Sequence, residues 1–555
     1  MQIVQHNETH YKVTFNYSKM IVGLVKAIPG SAWDKGALCW YVPITKKKNL
    51  EKVYEKWLAS VALSAPKVIG PIPKMPELGI SIPFQRNPYP FQSQGIAYGL
   101  QKGNTLICDE PGLGKTTQAI GLTVANEMLY GNGFPALVIC PNTPKTNWQR
   151  EWNIVAGKKA LVLNDRIINT WPQFYKAGMA DIFIINFESL KKYFVESIDV
   201  PENEKLRVKH IKFRENIKLF NTVIIDEIHR CKELKTQTTK ITTGITFGKQ
   251  HVYGLTGTPV VNKTEDLIAQ LYIIQRMQDL GGEKYFRARY CDTNDFLDEL
   301  NYKLWTTCFY SRKKKDVLPE LPDKIRQNII CDISTRKEYV EAERNLENYL
   351  KKWTTKTDEE IDRSLRGEIM VQMGICKQIS ARGKIAEASD IIDEIINAGR
   401  KIVVFVHHRE IADRLHEKYT NALAVAGGMT ENDRQANIDA FQNNPKYNII
   451  IVSIKAGGVA ITLTAASDVL FVEQPWHAAD QDQCIDRCHR IGQKDSVNAY
   501  NLLGRNTVDE YINEIIESKR EVSDMVVGNK EDYEAELIDR LADSMFRRDK
   551  VVETE

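Results

Sequence analysis

The feature that most restricts what this chain can fold into is an alternation of short, β-branched apolar segments with helical stretches, run through twice. The first set comprises Thr105 to Cys108, Ala136 to Cys140, Asp181 to Asn186, Thr222 to Asp226 and Val252 to Leu255. The second comprises Ile402 to Val406, Ala422 to Ala426, Asn448 to Ser453, Asp468 to Glu473 and Val497 to Leu503. Apolar runs of this length suit strands buried on both faces, and the helices between them supply the cover. Each set therefore predicts a parallel sheet flanked by helices, and the expected fold class is α/β with two such lobes. Between the sets, Tyr339, Ala342, Leu346, Tyr349, Leu350 and Trp353 trace one helical face, followed by Leu365, Ile369, Met373 and Ile391 to Ile396. That spacing predicts a helical insert.

Ahead of the first lobe lies a module of different character. Tyr11, Val13, Phe15 and Tyr17 alternate as in a half-buried strand, and Met20, Ile21, Leu24, Val25 and Ile28 recur at helical spacing. A second aromatic segment, Leu38 to Pro43, and a helical stretch from Leu50 to Leu63 complete a strand, helix, strand, helix unit. Residues 64–90 hold seven prolines, which disfavour both helix and central strand and mark a linker. The expected organisation is a small α+β module over 1–63, a Pro-rich linker over 64–90, a first lobe over 91–262, a helical insert and connector over 263–400, a second lobe over 401–515 and a helical tail over 516–555.

The longest apolar runs are strand-sized, far short of the roughly 20 residues that span a bilayer, so no membrane partner is expected. The polar N-terminus lacks the basic and apolar regions of a secretory signal, which predicts an intracellular protein, cytoplasmic in a prokaryote or virus and nuclear in a eukaryote. The ten cysteines are scattered without a Cys-x-x-Cys pair, and Cys108 and Cys140 fall within apolar strand patterns. With 75 basic and 72 acidic residues the charges nearly cancel, so any nucleic-acid surface must come from local clusters. Lys46-Lys47-Lys48 and Arg312-Lys313-Lys314-Lys315 are the candidates, the first of them better read as a solvated surface run.

The strongest chemical signal is the segment Asp109, Glu110, Pro111, Gly112, Leu113, Gly114, Lys115, Thr116 and Thr117, placed after an apolar strand and opening a helix. A glycine-containing turn there lets backbone N–H groups wrap phosphate oxygens, with the helix N-terminus adding its positive end. Lys115 is positioned to reach the β and γ phosphates of ATP and Thr116 to ligate Mg²⁺, although Asp109 stands where the strict motif has its first glycine. A later strand ends in Asp226-Glu227. Acid pairs are common at helix starts, but paired with Lys115-Thr116 they suit ATP hydrolysis, with Asp226 holding Mg²⁺ through water and Glu227 polarising the attacking water.

Near the far end, Gln483 to Gln493 predicts a helix on which Arg487 and Arg490, three apart, share a face. Arginines reaching across a cleft stabilise charge on a transferring phosphoryl group, which would make turnover depend on closure of the lobes. Cys484, Cys488 and His489 lie in the same stretch without a fourth ligand nearby, which argues against zinc.

Taken together, these motifs resemble those of the Swi/Snf-type ATPases of helicase-like superfamily two over roughly residues 88–515. The residues that carry the resemblance include Pro90-Phe91-Gln92, Gly112 to Thr116, Cys140-Pro141 with Trp148 and Trp152, Asp226 to His229, and Leu255 to Pro259. The second half adds Arg312 with Lys315 to Leu318, Gly457-Gly458, Trp476, and His489 to Gln493. The resemblance implies two RecA-like lobes, an adenine-reading role for Gln92, nucleotide binding at Gly458, and a motor that tracks along duplex or branched DNA without sequence preference. Trp40 to Pro43, Thr462 to Ser467 and Glu473 to Trp476 are similar to the HARP-domain annealing-helicase branch, which remodels forks and junctions in replication, repair or recombination. Two places depart from its pattern: Asp226-Glu227-Ile228-His229 lacks the branch's serine, and no Asn-Pro follows Trp476. A strand-separating helicase, or an ATP-switched partner-binding factor such as an RNA polymerase recycling ATPase, stays open as an alternative. Action as a monomer is expected.

Overall fold

A computed structural model describes residues 1–15, 19–64, 70–142, 144–257, 259, 264–291, 296–354, 363–454, 461–522 and 538–539. The chain forms two compact units, one of Met1–Ile72 with Gln278–Leu304, the other of Pro73–Met277 with Trp305–Glu555.

The first unit contains a four-stranded antiparallel sheet, ordered Gln2–Gln5, His10–Thr14, Cys39–Pro43, Ala32–Asp34. Helices Lys19–Lys26 and Lys47–Ser64 belong to the same unit, and Val13, Ile21, Val25, Trp40, Val42, Leu50 and Val53 form its core. The strand, helix, strand, helix pattern thus gains two edge strands. Both are short and largely exposed, so neither carries the apolar alternation by which a strand is recognised. Trp40 is buried, whereas Trp33 packs beside it at 5.5 Å and stays 49% exposed. Segment 278–304, expected within the inter-lobe insert, groups instead with this module. There Arg289 pairs with Glu299, Tyr290 Oη donates to the same carboxylate at 2.8 Å, and the Arg289 guanidinium lies 3.7 Å from the centre of the Phe296 ring.

The second unit holds two all-parallel sheets, one for each expected lobe. The first is ordered Phe309–Tyr310, Thr105–Ile107, His251–Leu255, Thr222–Asp226, Ala136–Cys140, Ile182–Asn186, Ala160–Val162. The second runs Lys324–Cys331, Val497–Gly504, Asp468–Phe471, Ile402–Val406, Ile449–Ser453, Leu423–Val425. All ten segments read as strands are strands. The span read as a helical insert supplies one further strand to an edge of each sheet, Phe309–Tyr310 and Lys324–Cys331. The second of these is exposed along most of its length, which is why its residues Lys324, Arg326, Gln327 and Asn328 give no apolar run. Helices Arg336–Thr354 and Arg363–Gly383 do occupy the rest of that span, and they pack with Val508–Val522 around Tyr339, Leu346, Leu350, Ile369, Met373 and Ile512.

In a parallel sheet every strand delivers its following loop to the same edge, the usual location of ligand sites. The loops after Thr105–Ile107, Thr222–Asp226 and His251–Leu255 therefore bring Asp109 to Thr117, Asp226-Glu227 and Thr256-Gly257 together at one edge of the first lobe.

Candidate nucleotide site between the two lobes

The helix Lys115–Tyr130 begins directly after Gly114, so the donors of its first turn face the preceding loop. Gly112 and Gly114 have φ of +91° and +73°, a region that penalises any side chain. Space is tight as well: a Cβ on Gly112 would stand 3.0 Å from Arg490 Cγ, and one on Gly114 2.3 Å from Gln92 Nε2, so either neighbour would have to shift. The Lys115 ammonium donates to the Asp109 carbonyl at 2.7 Å, folding back over the loop. Gln92 is buried, donating to the Leu113 carbonyl at 3.0 Å and accepting from the Tyr89 N–H at 3.0 Å. Thr117 is also buried and its hydroxyl accepts from Arg86 at 3.2 Å, while Thr116 is half-buried at the loop.

Asp109 does not face the loop's interior. Its carboxylate is fully buried and accepts from Arg312 Nε at 3.0 Å and Gln118 Nε2 at 2.9 Å. Glu110 turns the same way and accepts from the Lys314 N–H at 2.6 Å. The basic run at 312–315 is therefore no exposed cluster: Arg312 and Lys314 are 6% and 5% exposed and only Lys313 and Lys315 point to solvent. Burying a cation demands a partner, and both have one. Alternation was the overlooked signal, because Tyr310, Arg312 and Lys314 continue the inward parity of the strand Phe309–Tyr310.

Asp226 and Glu227 close the opposite wall. Burial, then the neighbouring Glu227 charge, pushes the Asp226 carboxyl up to about 6, against the Trp148 hydrogen bond and the Lys115 charge. Trp148 Nε1 donates to it at 2.8 Å, a partner that sequence reasoning did not assign. For Glu227, burial acts upward, but the hydrogen bond and charge of His229, with Lys115 and Arg487, outweigh it and hold the carboxyl below its ordinary value. His229 Nδ1 lies 3.3 Å from that carboxylate and 2.9 Å from Thr256 Oγ1. Glu227 itself sits at φ +51°, a left-handed conformation uncommon for a residue with a side chain and found preferentially where function over-determines the backbone.

The arginines arrive from the second lobe, but not on a helix. The helix Ala478–Ile485 stops before them, and Asp486 to Gln493 form a turn. Local bonds persist, His489 N–H donating to the Ile485 carbonyl at 3.0 Å, and tertiary ones are added: the Arg487 carbonyl accepts from Leu463 N–H at 2.8 Å, and Gln493 Nε2 donates to the Ala466 carbonyl at 2.8 Å. Arg487 is 6% exposed, and burial draws its guanidinium below the ordinary value against the attraction of Cys484, Glu227, Asp486 and Asp226. Arg490 donates to the Asp486 carbonyl at 3.1 Å and to Thr462 Oγ1 at 3.0 Å while its Cγ faces Gly112. Phe91, Leu113 and Leu318 form an apolar cluster with Ile491 packed against it, beside the turn. Farther along the same cleft, Thr146 Oγ1 of the first lobe donates to Glu431 of the second at 2.8 Å. Gly457, Gly458 and Thr258 lie outside the described residues.

The donor set suits a nucleoside triphosphate with Mg²⁺. Lys115, Arg487 and Arg490 concentrate positive charge at a glycine turn, and a hydroxyl and a carboxylate stand on either side. Among the described residues no cluster of three or more His, Cys, Asp or Glu forms a metal cage.

Residues 33–382 match the SNF2-related domain and residues 384–492 the helicase conserved C-terminal domain. The chain belongs to the SNF2-related family, and is a helicase-like ATPase. It is 25% identical to the SWI/SNF-related matrix-associated actin-dependent regulator of chromatin subfamily A-like protein 1 homolog of Caenorhabditis elegans, over 96% of this chain and 76% of that protein. It is 27% identical to the human DNA annealing helicase and endonuclease ZRANB3 over 81% of this chain, but spans only 41% of that protein. A solved structure, the Sulfolobus solfataricus SWI2/SNF2 ATPase core in complex with dsDNA, is 24% identical with a TM-score of 0.38, covering 80% of this chain and 94% of that one. Among the described residues no helix is long and apolar enough to cross a membrane.

Proposed function

We propose that this chain is an ATP-driven motor on double-stranded DNA that remodels branched substrates such as forks and junctions, reannealing strands rather than separating them. The observation that carries the reading is the approach of Arg490 and Arg487 to the opposite lobe's loop and acid pair, because it lets ATP bridge the lobes. Lys115 and the loop N–H groups hold the β and γ phosphates, Gln92 reads the adenine, and Glu227 orients the attacking water. Mg²⁺ supplies charge neutralisation on the phosphates, and Thr116 and Asp226 would hold it. Arg487 and Arg490 stabilise charge as the γ-phosphoryl leaves, so hydrolysis requires closed lobes and its completion lets them reopen.

DNA is gripped through its phosphates, with little base reading, by a single copy of the chain. The annealing and fork-remodelling assignment is supported by the activity for which the human relative is named and by an N-terminal aromatic module resembling that branch's accessory domain. Steady-state ATPase activity without nucleic acid and with single-stranded, duplex and forked DNA, all at one salt concentration, tests the reading. Strong stimulation by duplex and the strongest by the fork is the expected result. Equal activity in all four sinks the motor and favours an ATP-switched binding factor, and unwinding of a tailed duplex replaces annealing with strand separation.

A further inference from the structure

The turn that carries Arg487 and Arg490 keeps only short local bonds, and contacts from elsewhere in the chain hold it as well. The Lys314 ammonium, reaching over from the start of the short helix Lys314–Val317 that follows the strand Phe309–Tyr310, donates to Asp486 Oδ1 at 2.8 Å and to the His489 carbonyl at 2.7 Å. It thereby spans the turn from the residue before Arg487 to the residue before Arg490. Asp486 also pairs with Lys324, and His489 Nε2 is 2.6 Å from the Pro322 carbonyl, so the turn's anchors come from segment 314–324.

That segment is tied equally firmly to the phosphate loop. The Lys314 N–H is held by the Glu110 carboxylate, and Arg312 by Asp109. The Lys314 side chain also lies directly against Gly112, where a Cβ would be 3.3 Å from Lys314 Cε and 3.4 Å from Nζ. One lysine is thus bonded to the loop through its backbone and to the arginine turn through its side chain.

We propose that Lys314 is a positioning residue of the ATPase reaction: it holds the arginine turn in register with the phosphate loop without touching the nucleotide. The inference rests on reading Arg487 and Arg490 as contacts to the reacting phosphate. A displacement of about 1 Å in such a group costs on the order of 10²-fold in rate, so loosening the turn lowers turnover while leaving ground-state binding in place. The groups facing the ammonium are Asp486, His489, Lys324, Arg490 and Glu110. Burial draws Lys314 down to about 8, with the Lys324 and Arg490 charges acting the same way and Asp486 opposing them. The brace is strongest while Lys314 is protonated and weakens as pH rises through its pKa, because the neutral amine loses the charge that attracts Asp486, and this gives turnover an alkaline limb.

The test is DNA-stimulated ATPase activity of the full chain, wild type against Lys314→Met and Lys314→Arg, across pH, with thermal melting of each variant. Lys314→Met should lower kcat by about 10- to 100-fold with KM for ATP unchanged and the alkaline limb gone, and Lys314→Arg should recover much of the loss. Unchanged kcat, a rise in KM alone, or an arginine variant as slow as the methionine one overturns the proposal. If Lys314→Met does not fold, the near-isosteric Asp486→Asn carries the same kcat-against-KM test. An Arg490→Ala arm separates the failures: normal turnover there would defeat the arginine reading itself, whereas slow Arg490→Ala beside fast Lys314→Met defeats only the role of Lys314.

Discussion

The phosphate loop and the arginine turn face each other across one cleft, yet they are held in different ways. Asp109 to Thr117 has its backbone set locally, by two glycines at positive φ and a helix starting from the second, and is anchored remotely where Asp109 and Glu110 accept from Arg312 and Lys314. Asp486 to Gln493 keeps short local bonds, but the side chain of Asp486 and the carbonyls of Arg487 and His489 are held by Lys314, Lys324 and Leu463, remote in sequence. The loop's backbone conformation makes it the more rigid side, and the turn's dependence on side-chain partners makes it the more adjustable. Substitutions far along the chain should disturb catalysis through the turn more readily than through the loop.

The largest expected effect breaks the rigid side. Lys115→Ala should remove both nucleotide affinity and turnover, the latter by at least about 10³-fold, measured by nucleotide titration and steady-state ATPase assay. Arg490→Ala breaks the adjustable side instead, and should cost about 10³-fold in kcat while nucleotide affinity stays near wild type. If affinity collapsed as well, the two sides would not be separable. Gly112→Ala strains both at once. Its φ of +91° disfavours a side chain by about 1–2 kcal/mol, and the new methyl crowds Arg490, so a drop of about tenfold in kcat is expected with a lowered melting temperature.

The smallest effect sharpens the comparison through pH. Asp226 titrates near 6 because of burial and Glu227, so Mg²⁺-dependent ATP binding should weaken as pH falls through that value. Trp148→Phe deletes the indole donor, an interaction of about 1 kcal/mol that favours the charged form, so the acid limb should move to higher pH. A limb that stayed in place would show that Asp226 is not the group responsible.

The same division explains what could be read in the residues alone. Ten strands were legible because each is apolar across both faces, and the phosphate loop and acid pair because their chemistry is contiguous. Lys324–Cys331 was not legible, since a polar edge strand has no periodic signature to offer. Arg487 and Arg490 were identified as residues, but the regular helix predicted beneath them gives way to a turn that also bonds to Leu463 and Ala466, contacts that local spacing does not encode. Arg312 and Lys314 looked like surface charge because four consecutive basic residues suggest solvent, and only their alternating burial shows otherwise. Trp148 reaches Asp226 from 78 positions away in the chain, a pairing visible only once the helix Lys145–Ala156 is packed.

Segment 309–331 enters both sheets, and this has a mechanical consequence. If load pulls the lobes apart along their strands, Lys324–Cys331 bears it in shear, because its eight-residue register with Val497–Gly504 stretches all at once. Phe309–Tyr310 has only two paired residues, and the Arg312 bond to Asp109 stands immediately behind it. Under tension the strap should yield at the lobe that grips ATP, so the phosphate loop would register the force before the second sheet does.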